Sequence, residues 1–279
     1  PIVWGDLVFV TTAVDTGRKA EARDIPEQDP RVGAKRTNAP DTWHQFFAIA
    51  LDRKTGNVLW KKLCAERVPH EGHHASHSYA AGSPVTDGER VVFSFGSFGI
   101  YCFDLQGNLQ WEKQLGRQET RLGWGEAVTP ALHKGKAYIN WDHEGDSFIT
   151  ALDATNGNTL WKVDRDEPSS WATPLVVEHN GKAQVIVSGT NLVRSYDAEN
   201  GNVLWQHEGL TLNCIPSPLA YEGTAVVMSG FQGSEATAIP LDSTGDVTGK
   251  TPWKLNHGTP YVPSPVLVNG KIYYTQGNV

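Results

Sequence analysis

Short apolar runs separated by turn signals recur along the chain, and they predict strands rather than helices. Residues 82–111 (GSPVTDGERVVFSFGSFGIYCFDLQGNLQW) show the pattern best. A strand opens after Ser83-Pro84, Asp87-Gly88 supplies a tight turn, and residues 91–93 and 100–103 form the next two strands. Another turn leads into a fourth strand that ends on Trp111. The segment therefore predicts four short antiparallel strands.

This four-strand pattern repeats along the chain. Tryptophans close successive copies at spacings of 51, 50, 44 and 48 residues, and small-residue–proline steps open them at spacings of 46, 44, 44 and 47. The tryptophans are Trp60, Trp111, Trp161, Trp205 and Trp253, and the steps are Ser83-Pro84, Thr129-Pro130, Thr173-Pro174, Ser217-Pro218 and Ser264-Pro265. A β-rich repeat of this length predicts an all-β fold, a β-propeller of four-stranded antiparallel blades.

The element that closes each copy has the pattern AxDxxTGxxxW. It reads ALDRKTGNVLW at 50–60, ALDATNGNTLW at 151–161 and SYDAENGNVLW at 195–205. The Asp side chain can accept hydrogen bonds from backbone N–H groups two residues on, and the Gly supplies a left-handed step. Because the Trp recurs with the repeat, we expect all five tryptophans to pack between neighbouring blades in a structural role.

The proline steps divide one predicted domain, residues 1–279, into six segments. The segments are 1–83, 84–129, 130–173, 174–217, 218–264 and 265–279. The fifth ends in IPLDSTGDVTGKTPW, which carries extra turn residues, and the sixth holds two predicted strands. The polar stretch 12–43 predicts a loop insertion at the rim. Because a propeller closes on itself, we expect these five and a half blades to form an incomplete ring.

Composition narrows the class of partner. The net charge of −7 argues against nucleic acid, and no apolar run approaches the about 18 residues of a membrane span. The three cysteines, Cys64, Cys102 and Cys214, lie far apart without a CxxC spacing, so we expect them to fill apolar interior. We also expect a monomer.

The closing element resembles the tryptophan-docking motif of pyrroloquinoline-quinone-type propellers. Stretches such as SYAAGSPVTDGERVVFSFGSFGIYCFDLQGNLQW and SWATPLVVEHNGKAQVIVSGTN extend the resemblance over essentially the whole chain. It implies a bacterial periplasmic or secreted protein with seven or eight blades. The group includes quinoprotein alcohol dehydrogenases and an outer-membrane protein assembly lipoprotein.

The resemblance also bears on cofactors. The dehydrogenases pack their quinone on a disulfide of adjacent cysteines and hold a Ca²⁺ with Glu and Asn. No cysteines are adjacent in this chain. We therefore expect no cofactor in these blades, and pyrroloquinoline quinone with Ca²⁺ is the alternative.

Four imidazoles lie within eight residues, at His70, His73, His74 and His77. His70 to His74 satisfy HExxH, a zinc-protease motif that requires a helix, and Pro69 opposes one. A looser Zn²⁺ or Cu²⁺ site is a second hypothesis. A polar loop that joins two blades is the third.

Two further groups of side chains are candidates for binding. Asp142, His143, Glu144 and Asp146 follow a predicted strand and offer either a cation or acid–base site or a solvated turn. The second group stands just ahead of the proline steps, where blades border a propeller channel, and suits a ligand funnel or a packed plug. Its members are Tyr79, Trp124, Glu126, Trp171, Asn213 and Tyr261, with Arg121, Asn191 and Arg194 as added polar contacts.

No catalytic set is identifiable, which favours a binding protein over an enzyme. The leading hypothesis is an extracytoplasmic propeller that binds a small molecule or a protein at its channel face. The alternatives are a quinoprotein-like oxidoreductase of the alcohol dehydrogenase type and a scaffold in outer-membrane protein assembly.

Overall fold

The computed structural model describes residues 1–27 and 36–277, in which short strands make up almost all of the regular structure. The first two repeats contain β1 (Ile2–Trp4), β2 (Leu7–Lys19), β3 (Thr42–Asp52), β4 (Val58–Arg67), β5 (Val85–Thr86), β6 (Arg90–Ser94), β7 (Ile100–Asp104) and β8 (Leu109–Lys113). The next two contain β9 (Ala131–His133), β10 (Lys136–Trp141), β11 (Phe148–Asp153), β12 (Thr159–Asp164), β13 (Leu175–His179), β14 (Lys182–Val187), β15 (Leu192–Asp197) and β16 (Val203–Glu208). The last two contain β17 (Leu219–Tyr221), β18 (Thr224–Ser229), β19 (Glu235–Pro240), β20 (Gly245–Asp246), β21 (Lys254–Leu255), β22 (Val266–Val268) and β23 (Lys271–Tyr273). Three 3-10 turns lie at Ala22–Asp24, Gly96–Phe98 and Arg121–Gly123.

The strands form antiparallel sheets in chain order. Four-stranded sheets run β1-β2-β3-β4, β5-β6-β7-β8 and β17-β18-β19-β21, and β13 to β16 gain β20 as a fifth strand. Each of the proline steps is followed directly by the first strand of a repeat. The prediction of an all-β fold built from four-stranded antiparallel propeller blades is confirmed.

The chain divides into two compact units. The first comprises Pro1–Gly135 with Asp153–Asn158, and the second Lys136–Leu152 with Thr159–Val279. The single domain and the number of blades stay predictions. In the parts of the chain that the structure describes, no helix has the length and apolar character of a membrane span.

Each unit has its own apolar core between neighbouring sheets. In the first unit, Phe9, Phe46 and Phe93 are fully buried in one cluster. In the second, Trp205, Ile186 and Val227 are fully buried in another. Of the three thiols, Cys102 and Cys214 are buried as expected, whereas Cys64 is half-buried.

Closing tryptophans hold one repeat to the next by a recurring hydrogen bond. The indole N–H donates to the carbonyl of the residue that follows the third strand of the next repeat. The bonds join Trp60 to Leu105 (3.0 Å), Trp111 to Ala154 (2.8 Å) and Trp161 to Ala198 (3.2 Å). The turn glycine of that next repeat lies on the indole, at positive φ and with no room for a Cβ, at Gly107, Gly157 and Gly201.

A β-bulge precedes Trp60, Trp111, Trp161 and Trp205 and sets the direction of their side chains. Trp60 pairs with Ala50 while Val58 pairs with Leu51, so Leu59 is the extra residue. The same shift occurs before Trp111, Trp161 and Trp205. A bulge bends the strand and redirects the next side chain, which brings the ring onto the neighbouring repeat.

The fourth and fifth repeats depart from this geometry. The indole of Trp205 donates to Gln184 Oε1 (3.0 Å), and Gln184 Nε2 donates in turn to the Leu241 carbonyl (2.9 Å). Gln184 therefore relays the bond that the other tryptophans make directly. Trp253 differs from the expectation of a packed ring, since it is 41% exposed. In the other repeats, the turn that covers a closing tryptophan follows the third strand of the next repeat. The sixth repeat, which follows Trp253, has two described strands, β22 and β23.

The small residues of the proline steps bond to one another. Ser83 N–H donates to Thr129 Oγ1 (3.0 Å) in the first unit. In the second, Thr173 N–H donates to Ser217 Oγ (3.2 Å) and Ser217 N–H to Ser264 Oγ (3.1 Å). The hydroxyls of Thr129, Ser217 and Ser264 accept these bonds, which explains why Ser or Thr stands at those three steps.

The closing-turn aspartates act as the sequence predicts. Asp52, Asp104, Asp153 and Asp197 each accept a hydrogen bond from the backbone N–H two residues on, at 2.7–3.0 Å.

The stretch 12–43 differs from the predicted loop at both ends. Strand β2 continues to Lys19 and pairs with β3 as far as Lys19–Thr42, so the insertion is partly a lengthened hairpin. Arg18 forms an ion pair with Glu66 and lies over the Trp43 ring, contacts that support the longer strands. Residues 28–35 of the predicted loop lie outside the described residues.

Replacing Trp161 by Ala should cost about 3–5 kcal/mol of unfolding free energy, because it removes a buried ring and the bond to Ala198. Trp253→Ala is the matched control, and its exposed ring should cost less than about 1 kcal/mol. Urea unfolding of both variants measures the difference. Equal losses would contradict the role assigned to the buried indole.

Candidate functional site

The first unit contains a buried cluster of one imidazole and three carboxylates. His70, Glu71 and Glu119 place ligand atoms within 4.8 Å of one another, and all three are buried. Glu126 joins them, with its Oε1 at 3.6 Å from His70 Nε2. His70 and Glu71 lie in the loop between β4 and β5, and the other two lie in the loop between β8 and β9. The loops that join successive repeats therefore supply the cluster.

Hydrogen bonds within the unit occupy these polar atoms. Glu71 accepts from the Thr120 N–H (3.1 Å) and hydroxyl (2.5 Å). His70 Nε2 lies 2.6 Å from the Gln118 carbonyl, and Glu119 pairs with Arg117. The cluster thus ties one connecting loop to the next, which is a structural use of groups that could bind a metal.

Glu126 is the most perturbed carboxyl. The Ser97 N–H donates to its Oε2 (2.6 Å), and Gly96 leaves room for the carboxyl because a Cβ there would overlap it. Burial raises the pKa of Glu126 to about 8, and the charges of Glu71 and Glu119 add to the rise. Burial therefore favours the protonated form of Glu126.

The space beside this cluster is small. Its cavity of about 10 Å³ is lined by His70, Glu71, Tyr79, Phe98 and Glu126 among others. Such a volume accommodates about one water molecule or ion. Tyr79 closes it by donating to the Glu71 carbonyl (3.0 Å). A tricyclic quinone does not fit there, and Glu71 already has both oxygens bonded, so these residues do not match the quinone and Ca²⁺ alternative.

The four predicted histidine ligands do not assemble into one set among the described residues. His70 turns towards the carboxylates, whereas the His73 and His77 rings lie 6.4 Å apart and His74 lies against Trp124. His74 Nδ1 bonds the Ser76 hydroxyl (2.8 Å), and burial lowers the pKa of His77. The segment is not helical, so the helix that HExxH requires is missing.

An open cleft lies outside this loop. It has a volume of about 470 Å³ and is lined by Arg36, Thr37, Asn38, His73, His74, Ala75 and Trp124. Of the predicted funnel residues in the first unit, Trp124 thus faces a cleft, while Tyr79 and Glu126 face the small cavity. Arg121 is half-buried and opens the 3-10 turn Arg121–Gly123, which directly precedes Trp124.

The acidic loop of the second unit builds a buried ion pair. Asp142 accepts from Arg165 Nε (2.7 Å) and Nη2 (3.1 Å), and both side chains are fully buried. Arg165 also donates to the Tyr196 hydroxyl (2.7 Å), and Asp142 accepts from Ser170 (2.8 Å). With its oxygens bonded in this way, Asp142 fixes the loop after β12.

The other acidic-loop residues separate from Asp142. His143 is buried, and its Nδ1 accepts from the Gly145 N–H (3.1 Å). Glu144 is exposed but accepts from Ser169 N–H (3.1 Å) and hydroxyl (2.8 Å). Asp146 is exposed. The loop is therefore mostly an internal scaffold with one solvated carboxylate.

The remaining predicted residues lie in the second unit and contact residues near them. Asn191 N–H and Arg194 Nη1 both donate to Glu167 (2.8 and 3.2 Å). Trp171 N–H donates to the Cys214 carbonyl (2.8 Å), beside the buried Asn213 at φ +57°. Tyr261 stacks on Phe231 with ring centroids 4.9 Å apart. A funnel shared by all these residues stays a prediction.

Sequence reasoning missed Glu119, Arg165 and Glu167, the charged partners of the residues it named. Each stands in a loop between repeats without a repeated pattern around it. The signal that could have found them is the density of Asp, Glu and Arg in 117–126 and 164–167, which exceeds that of the other connecting loops.

Comparison with known proteins gives one family. The family model described as outer membrane protein assembly factor BamB matches residues 28–140 and, in a second register, residues 99–278. No curated protein matches the chain.

Two solved structures are similar at low identity. BamB from Moraxella catarrhalis is 17% identical with a TM-score of 0.42, over 87% of this chain and 80% of that one. The quinohemoprotein alcohol dehydrogenase from Comamonas testosteroni is 11% identical with a TM-score of 0.47, over 86% of this chain and 44% of that one. This chain thus spans less than half of the dehydrogenase.

Glu126 should make the protein less stable as pH rises from about 5 to about 8. Between the unfolded pKa near 4.5 and the folded pKa of about 8, the native state holds one proton more than the unfolded state, so stability falls across that window. Glu126→Gln keeps an acceptor for Ser97 and should flatten the dependence. Urea midpoints across this range measure it, with exposed Asp146→Asn as the control; an unchanged slope in Glu126→Gln would contradict the assignment.

Replacing Arg165 by Met should cost about 3–5 kcal/mol of unfolding free energy, because Asp142 is left charged and buried without its partner. Adding Asp142→Asn to that variant should recover part of the loss. Urea unfolding of the single and double variants measures the coupling between the two residues. Strictly additive losses would show that the pair does not act as a unit.

Proposed function

The chain belongs to the family described as outer membrane protein assembly factor BamB, and we propose that it is an extracytoplasmic propeller whose function is to bind another protein. The family description supports a periplasmic location and a role as a scaffold in outer-membrane protein assembly. We also propose that it acts as a monomer.

One observation carries the proposal. Glu71, Glu126, Asp142 and Arg165 are turned inward and bonded, whereas apolar side chains stand exposed on outer strands. Val58, Leu59 and Leu63 on β4 are each more than half exposed. Leu109 on β8 and Leu160 on β12 are about half exposed. Exposed apolar side chains grouped along strand edges suit contact with a protein partner.

The inward use of polar groups argues against catalysis. A general acid or base must reach a substrate atom within hydrogen-bonding distance. Asp142 and Arg165 are fully buried, and Glu126 borders a cavity of about one water volume. A small-molecule site at the open cleft beside His74 and Trp124 is the second proposal, since an aromatic ring and polar groups line that cleft.

Cross-linking in intact cells of the native host tests the protein-binding role. Mass spectrometry of the cross-linked complexes should identify components of outer-membrane protein assembly as partners. The purified full-length protein should also stay colourless after incubation with pyrroloquinoline quinone and Ca²⁺. Stoichiometric quinone uptake with dye reduction, and no cross-linked partner, would contradict the proposal and favour the oxidoreductase.

A further inference from the structure

The outer edge of the fourth repeat carries an added strand. Strand β20 pairs in parallel with β16, joining Trp205 to Gly245 and Gln206 to Asp246. The pairing continues as Val247 N–H donates to the Gln206 carbonyl (2.9 Å) and Glu208 N–H donates to Thr248 Oγ1 (2.9 Å). Strand β20 comes from the fifth repeat, between its third and fourth strands. The outer edge of a blade in this protein can thus hold an extended segment.

The added segment also fills a groove. Val247 is buried in a cluster with Trp205, Ile239 and Leu241, which are the closing tryptophan of one repeat and the end of the third strand of the next. Asp246 accepts a hydrogen bond from the Gln206 side chain (3.3 Å). Backbone pairing, one branched apolar side chain and one acidic contact therefore hold the segment.

The first two repeats contain an open groove at the corresponding edge, next to the turn at Gly107 that covers Trp60. By position in the repeat, Trp60, Phe103 and Leu105 correspond to Trp205, Ile239 and Leu241. A groove of about 380 Å³ lies along β4 at this place. It is lined by Lys62, Leu63, Cys64, Tyr101, Phe103, Gly107, Asn108, Leu109 and Glu112.

The length of one connection accounts for the difference. In the fifth repeat, residues 241–253 join the third and fourth strands and supply β20. In the second repeat, the same connection is the tight turn 105–108, which is too short to lie along the neighbouring edge.

The edge of β4 is suited to pairing. Strand β4 is the last strand of its sheet and has 10 residues, against 6 in β16. Leu63 and Leu109 on the two sides of the groove are 53% and 51% exposed. A long edge strand with exposed apolar side chains is a template for strand addition.

The β4 edge carries more positive charge than the β16 edge, and Lys62 shares the groove with Glu112. Lys61 and Lys62 stand where β16 has Gln206 and His207. Lys61 Nζ lies 3.9 Å from the Phe47 ring centroid, and Lys62 lines the groove. Two lysines in place of neutral or weakly basic groups strengthen the attraction for an acidic side chain at the position of Asp246.

We propose that β4 binds an extended acidic segment of a partner protein as an added parallel strand, with a small branched apolar side chain seated in the groove against Leu63 and Phe103. The site rests on the proposed protein-binding function and names where and how that binding occurs. The partner's backbone N–H groups donate to the Lys61 carbonyl, and the Leu63 N–H faces the segment.

A synthetic peptide that copies residues 242–249 (DSTGDVTG) of this chain is the probe. Hydrogen exchange of the full-length protein, read by mass spectrometry, should show slower exchange in 58–67 when the peptide is present. The same peptide with Val247→Asp should give no protection, and one with Asp246→Lys should bind at least about tenfold more weakly.

Variants of the protein locate the site. Leu63→Glu places a negative charge in the groove and should weaken peptide binding at least about tenfold. Val3→Glu is the matched control, since Val3 is 53% exposed on β1 at the opposite edge of the same sheet, and it should leave binding unchanged. Equal unfolding midpoints of the two variants establish that both are folded.

Several outcomes would overturn the proposal. Protection confined to 203–208 would mean that the peptide only replaces β20. Concentration-dependent dimerisation that Leu63→Glu abolishes would make a second copy of the chain the occupant. If Leu63→Glu keeps every cross-linked partner and the peptide protects nothing, the site on β4 is wrong while the protein-binding function stands. If the unaltered protein cross-links to no partner at all, the proposed protein-binding function itself is wrong.

Discussion

The indole N–H bonds from Trp60, Trp111 and Trp161 to the following repeat hold the blades together. A single β-sheet blade cannot bury its faces alone, so the fold depends on each blade being held to its neighbour. The bond fixes the third-strand end of the following repeat, the β-bulge aims the ring, and the turn glycine permits close approach. Where the carbonyl stands out of reach, Gln184 restores the link.

Once the blades are fixed in this way, the loops that join them are brought together and their polar groups must be satisfied. Glu71 accepts from Thr120, and Asp142 accepts from Arg165, each across more than twenty residues of chain. Unbonded carboxylates at such burial would be costly, so the bonds stabilise the loops. The same bonds engage these groups within the chain, which is why we propose that the outer strands and the open cleft are the places for binding.

The regular part of this architecture could be predicted from the sequence because it recurs. The proline steps locate the first strands, and Asp52 and its equivalents fold their turns as expected. Features that depend on tertiary contacts could not be predicted from the sequence. The segment around Gly245 reads as extra turn residues, and it becomes a strand because β16 offers it an edge. The contacts of His70 with Gln118 and Glu126 depend on how two loops meet, which no local pattern encodes.

We propose that the outer strands, rather than the polar loops, hold the partner. Hydroxyl-radical footprinting of the protein alone and within its native envelope complex measures this most directly. In the complex, Val58, Leu59 and Leu63 should become protected, whereas His74 and Trp124 should keep their reactivity. Protection of those loop residues with unchanged labelling of β4 would contradict it.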